Sequence, residues 1–250
     1  MVFRGNWRKE STSAPSLLTK SCHDIDFILW MLCSPSPGGA EPPHLPSSIT
    51  STGSLRYYRN ARKPVAAGSA TNCISCPIES SCKSSAVEIY WRLHGNYGIT
   101  GWPVKIVVPE IEDIYRTQGK DASKRRLMEV LAQDYSPNTP REVIDSQSWY
   151  GRCVYESDND VCDDQTVTIS WEDDPIPTEK GETPVELGSL KDRGAKTAIF
   201  HMVSQTEAIC SRRGRIYGSD GEIYYDSTNI TVTNFHNHTT KTRHIPAPPD

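Results

Sequence analysis

Apolar residues recur at three- and four-residue steps from about Ser16 to Leu32, where Leu18, Cys22, Ile25, Leu29 and Leu32 share one helix face. Ser13 is a suitable N-cap and Pro15 falls near the first turn. The helix must stop before Ser34-Pro35-Ser36-Pro37-Gly38-Gly39, because proline cannot continue it. Residues 34–52 are rich in Pro, Ser and Gly and read as a structureless insertion, long for a connection inside a compact domain. Ser54 to Tyr58 then predicts a strand and Ala86 to Leu93 a short helix. β-branched content predicts a strand over Val104 to Val108. Good helix formers predict a helix over Ala122 to Gln133.

The last hundred or so residues turn to a period of two. Thr166 to Trp171 alternates and should be half buried. A polar loop from Asp173 to about Arg193 leads to a strand over Thr197 to Val203. Ile216-Tyr217 and Ile223-Tyr224-Tyr225 flank Gly218-Ser219-Asp220-Gly221, a hairpin signal. Ile230 to Phe235 gives a further strand, and 236–250, with His236, His238 and His244, reads as a frayed tail able to bind metal only adventitiously. Strands in series, segregated from helices, predict an α+β fold: an open, largely antiparallel sheet with helices on one face. We expect a single domain over 1–250, with the insertion at 34–52 and a cysteine-cluster loop at 71–84.

Composition narrows the function classes. The chain has 250 residues, is 36% hydrophobic, and carries 18 prolines and 16 glycines, so it can bury a core but is rich in loops. A net charge of -4 with interspersed signs offers no basic stripe for nucleic acid, and no run of eighteen apolar residues is present to span a membrane. The first ten residues are charged and lack the apolar segment of a secretory signal, which argues for a cytoplasmic protein whose Asn229 and Asn237 sequons are unused. In that setting the eight cysteines read as thiols or metal ligands rather than a disulfide framework. Cys73, Cys76 and Cys82 form a C-x2-C-x5-C cluster, which fits a structural zinc with a fourth ligand from elsewhere; reduced free thiols and a redox pair remain open. Cys22 and Cys33, on or beside the first helix, read as packing residues.

On that helix Thr19 and His23 share a face, as do Lys20 and Asp24, opposite the apolar stripe. Such a face can offer several hydrogen-bonding groups to one small ligand; the plain alternative is a surface histidine. Arg4, Arg8 and Lys9, just before the helix, are either holders of a polyol, phosphate or carboxylate, or a solvated basic turn.

Several separated phrases resemble the substrate domain of the glucose–fructose oxidoreductase/inositol dehydrogenase (Gfo/Idh/MocA) family. They are Gly5-Asn6-Trp7-Arg8-Lys9-Glu10, Leu17-Leu18-Thr19-Lys20-Ser21-Cys22-His23-Asp24-Ile25-Asp26, Trp149-Tyr150-Gly151-Arg152-Cys153-Val154-Tyr155, Ser157-Asp158-Asn159-Asp160-Val161, Arg215-Ile216-Tyr217-Gly218 and Gly221-Glu222-Ile223. The resemblance covers nearly the whole chain outside the insertion and tail. It implies an NAD(P)-dependent dehydrogenase acting on a sugar or cyclitol hydroxyl, in which His23 binds or relays the proton of the reacting hydroxyl. Candidate residues are then His23, Lys20 and Thr19 for chemistry, and Arg8, Asn6, Trp7 and Asp24 for substrate binding. It also implies a homo-oligomer formed through the sheet, and Cys153 as the fourth zinc ligand, with Cys162 second in line.

Two departures shape the expectation. The family often has an acidic residue at the position of Thr19, and a threonine is no carboxylate base. The 250 residues hold neither a Gly-x-Gly-x-x-Gly after a strand nor a Glu-Lys-Pro, and Gly95, Gly98 and Gly101 are wrongly spaced for pyrophosphate. The chain therefore reads as a truncated oxidoreductase that starts abruptly at Met1, inactive without a separate nucleotide-binding half. The alternative is a non-catalytic binding or assembly module with a structural zinc loop.

Overall fold

The computed structural model describes residues 4–35, 38–175, 190, 193–206 and 211–246. Where one domain was expected, the chain divides into two compact units, Met1–Ser204 and Gln205–Asp250. The class is α+β, with two antiparallel sheets in place of one.

In the first unit the leading helix is split. Helix α1 (Ser16–Lys20) and helix α2 (Cys22–Cys33) are separated by Ser21, whose φ of -121° and ψ of 10° leave helical geometry. Pro15 occupies the N-cap, while the Ser13 hydroxyl turns back to donate to the Lys9 carbonyl. Strands β1 (Ser48–Ser54), β2 (Asp164–Trp171) and β3 (Lys196–Val203) form a sheet in the order β1-β2-β3. Val167, Ile169 and Trp171 alternate onto one face of β2 and pack against Leu17, Ile28, Leu29 and Leu32 of the helices. The stretch expected to be structureless thus ends in an edge strand, and it is anchored at His44. The indole N–H of Trp171 donates to the His44 carbonyl (3.0 Å), and the His44 N–H donates to Cys33 (2.9 Å).

A second apolar cluster gathers Tyr90, Trp91, Val104, Val107, Val108, Ile111, Leu127 and Leu131. It is built by a helical segment over residues 86–92, of which Glu88–Arg92 is a π turn, and by helices α3 (Ile111–Gln118) and α4 (Lys120–Leu131). Helix α5 (Arg141–Ser146) lies further on. Val104 to Val108 is a turn, not the strand that its β-branched content predicts. The N–H groups of Val107 and Val108 both donate to the Val104 carbonyl (3.0 and 3.1 Å), which puts three valines on one buried side. Leu55 to Tyr58 also leaves the strand geometry expected of it.

The second unit is a four-stranded antiparallel meander of β4 (Arg213–Tyr217), β5 (Gly221–Asp226), β6 (Asn229–Asn234) and β7 (Thr239–His244). The expected hairpin joins β4 to β5, closed by the Gly218 N–H on the Gly221 carbonyl. Strand β7 lies in the segment expected to fray; cross-strand hydroxyl pairs Thr231–Thr242 (2.9 Å) and Thr233–Thr240 (3.1 Å) tie it to β6. Most of the expected polar loop after Asp173, Cys210 and the last four residues lie outside the described residues.

Candidate functional site

The cysteine loop has a period of three. Along Cys73, Cys76, Glu79, Cys82 and Ser85, each N–H after that of Cys73 donates to the carbonyl three residues earlier, at 2.9 to 3.2 Å. These are successive tight turns, of which Glu79–Ser81 is a short 3-10 helix. The five residues line one cavity together with Cys153. Cys153 arrives by strand-like pairing. An antiparallel bridge joins Asn72 to Arg152, flanked by the Cys73 N–H on Gly151 and the Cys153 N–H on Thr71 (both 2.8 Å). Cys73 and Cys153, each one residue from the bridge, therefore lie on the same side of the ladder. Gly151 permits this approach: a Cβ there would stand 1.6 Å from the Leu131 carbonyl oxygen at the end of α4. Cys162 is not among the cavity-lining residues; it sits beside Gly53 of β1.

Arg4 enters the same place. Gly5, at φ 67°, turns the chain where a Cβ would strike the Tyr150 ring, and Arg4 is 3% exposed. Its guanidinium donates to the carbonyls of Tyr150 (2.9 Å), Arg152 (2.7 Å) and Ser84, and to Cys73 Sγ (3.7 Å). No carboxylate pairs with it among the described residues. Burial opposes its charge, but the thiols of Cys73 and Cys153 and the phenol of Tyr90 outweigh burial and hold its pKa above the ordinary value. Burial pushes the Cys82 and Cys153 thiols up, towards the neutral form. Among the described residues no group of three or more His, Cys, Asp or Glu side chains is placed to hold a metal ion.

The expected substrate face is elsewhere, on α1 and α2. The Lys20 ammonium lies over two indoles, 5.0 Å from the Trp7 ring and 5.8 Å from the Trp102 ring, and those rings meet edge to face at 5.8 Å. Trp102 belongs to no expected site; only its pairing with Trp7 reveals it. His23, three residues beyond Lys20 and across the Ser21 break, is exposed, and its ring has no hydrogen-bond partner among the described residues. Phe27 and Trp30 continue the His23 face at i+4 and i+7, their rings 6.2 Å apart. Asn6 accepts from the Ser148 hydroxyl (2.5 Å) at the edge of this region, and Asp24 is half-buried.

Three candidates differ from expectation. The Thr19 hydroxyl donates back to the Pro15 and Ser16 carbonyls (both 3.4 Å), the usual habit of a helical threonine. Arg8 is 2% exposed and faces inward: Nε donates to Asp158 (2.8 Å), and the two terminal nitrogens donate to the Gly5 and Ile144 carbonyls (both 3.0 Å). It shapes the 5–8 turn that carries Trp7 rather than reaching a ligand. Lys9 pairs with Asp158 and Asp160 (both 3.5 Å).

Comparison with known protein families, curated proteins and solved structures finds no match to this chain. Among the described residues no helix is long and apolar enough to cross a membrane.

Proposed function

We propose that the α1–α2 face binds a sugar or cyclitol, and that this chain is the substrate-side part of an NAD(P)-dependent oxidoreductase of the Gfo/Idh/MocA type. The nucleotide would be held by a separate nucleotide-binding domain. One observation carries the reading: the Lys20 ammonium is cradled by Trp7 and Trp102 at the end of α1, three residues before an exposed His23 at the start of α2. Indole faces suit the C–H faces of a polyol ring, while an ammonium and an imidazole can bracket one hydroxyl. In this arrangement His23 accepts or relays the hydroxyl proton, and Lys20 stabilises the negative charge that develops on oxygen. Asn6 and Asp24 add hydrogen bonds at the rim; Arg8 acts through the turn it holds. Trp30 is 65% and Trp102 56% exposed, an apolar margin suited to docking the domain that brings the nicotinamide. Association through a sheet face belongs to the same proposal.

The test is a titration of the full chain with glucose, galactose, xylose and myo-inositol, read by tryptophan fluorescence and by the His23 imidazole NMR signal. At least one should give a saturable, roughly millimolar response that Lys20→Ala or Trp102→Ala weakens about tenfold. A panel without any response overturns the proposal. A second reading is a non-catalytic binding module, which fits an exposed His23 and predicts binding without chemistry. Supplying a nucleotide-binding domain with NAD+ or NADP+ separates the two: an enzyme shows turnover that His23→Ala lowers by about 10²-fold or more.

A further inference from the structure

We propose that Cys73, Cys76, Cys82 and Cys153 bind one structural Zn2+, with the buried guanidinium of Arg4 as the counter-charge to the resulting tetrathiolate. The site is distinct from the α1–α2 face and does not depend on what that face binds.

Two independent features converge on it. The first is the donor set. The three-residue turn chain and the Asn72–Arg152 bridge bring four thiols to one cavity from sequence positions up to eighty residues apart. Four soft donors without histidine suit zinc, and all four together leave no position for water, so the ion would fasten the 71–84 loop to the 149–155 segment and perform no chemistry. Glu79 lines the same cavity but is committed elsewhere, to Arg92 (2.5 Å) and to the Ser85 hydroxyl.

The second feature is charge. A buried cation surrounded by carbonyls and a thiol, with no carboxylate among the described residues, is costly unless negative charge is present nearby. The cysteines can provide it. Each loses its proton to solvent on binding, and four thiolates around Zn2+ retain two negative charges in excess. Cys73 Sγ already accepts from Arg4 (3.7 Å) and from the Ala86 N–H (3.4 Å), the kind of N–H···S contact that holds a metal-bound thiolate in place. Because no metal-holding group stands assembled among the described residues, binding requires the four thiols lining the cavity to turn towards one another.

The full chain purified without chelator should contain about one zinc per molecule by elemental analysis. Its cobalt-substituted form should show the strong visible bands and thiolate charge transfer of a tetrahedral sulfur site. Cys153→Ser should lose the metal or bind it at least tenfold more weakly in chelator competition, Cys162→Ser should not, and Arg4→Met should weaken it while keeping the sulfur spectrum. Where a cysteine variant fails to fold, mercurial titration of the unaltered chain decides: metal must be released in step with thiol modification. Sub-stoichiometric zinc with freely reacting thiols, a Cys73–Cys76 disulfide in the purified protein, or equal metal loss in Cys162→Ser overturns the proposal.

Discussion

Asp163 shows how one residue can override local propensity. Its carboxylate is wholly buried and accepts from three successive N–H groups, those of Arg56 (2.7 Å), Tyr57 (2.6 Å) and Tyr58 (2.9 Å). A strand would point alternate N–H groups to opposite sides, whereas one carboxylate gathers them all, so the β-prone Leu55-Arg56-Tyr57-Tyr58 becomes a turn. The signal for this sits a hundred residues away, which is why local pattern could not show it. Asp163→Ala strands three part-buried donors and should cost about 3 kcal/mol in urea unfolding. A loss below about 1 kcal/mol would show that the donors find other acceptors. The cysteine site divides in the same way. The C-x2-C-x5-C spacing is plain in the sequence, as is its period of three with Glu79 and Ser85 once turns are considered. The burial of Arg4 is not, because a basic turn and a buried counter-charge use the same letters.

Elements were legible where one period persisted. α4, β2 and β3 lie within a residue or two of the ranges their patterns predict, and the β4–β5 hairpin turns where its glycines place it. Val104 to Val108 was not, since a β-branched run between Pro103 and Pro109 fits a strand as well as a single buried turn. Short α5 carried too few apolar positions to announce itself, yet it is fastened by charge. Asp158 takes Arg8 at one oxygen, and Arg141 of α5 (3.0 Å) and Lys9 at the other. Burial would raise the Asp158 pKa, but the bond and charge of Arg8, with Lys9, hold it below the usual carboxylate range. A carboxyl held below its unfolded pKa stabilises the fold fully above that unfolded value, about 3.9, and loses the contribution as pH falls through the folded one. Asp158→Asn should therefore be less stable by about 2 kcal/mol at pH 7, and its unfolding curve should converge on the unaltered protein below about pH 4. A stability gap that persists undiminished in acid would count against this coupling.

At the scale of the whole molecule, burial separates the two units sharply. The first holds two apolar clusters, one under α2 and one around Tyr90, Val104 and Leu127. The second has no buried residue among those described, although its register aligns Ile216, Ile223 and Val232 on one face of the sheet. An alternating sequence made its strands readable, and also the hairpin, because period two and turn glycines are local properties. Division into units was not readable, since it depends on where apolar faces find partners rather than on their spacing. A four-stranded meander needs its apolar face covered to be stable in water. Residues 205–250 expressed alone should accordingly give the narrow amide dispersion of an unfolded chain. Residues 1–204, keeping both clusters, should unfold cooperatively with urea. Well-dispersed spectra from the isolated meander as a monomer would show that cross-strand pairs such as Thr231–Thr242 and the Tyr224 and Tyr225 rings suffice to hold it. The stability of the second unit would then be a property of its own strands.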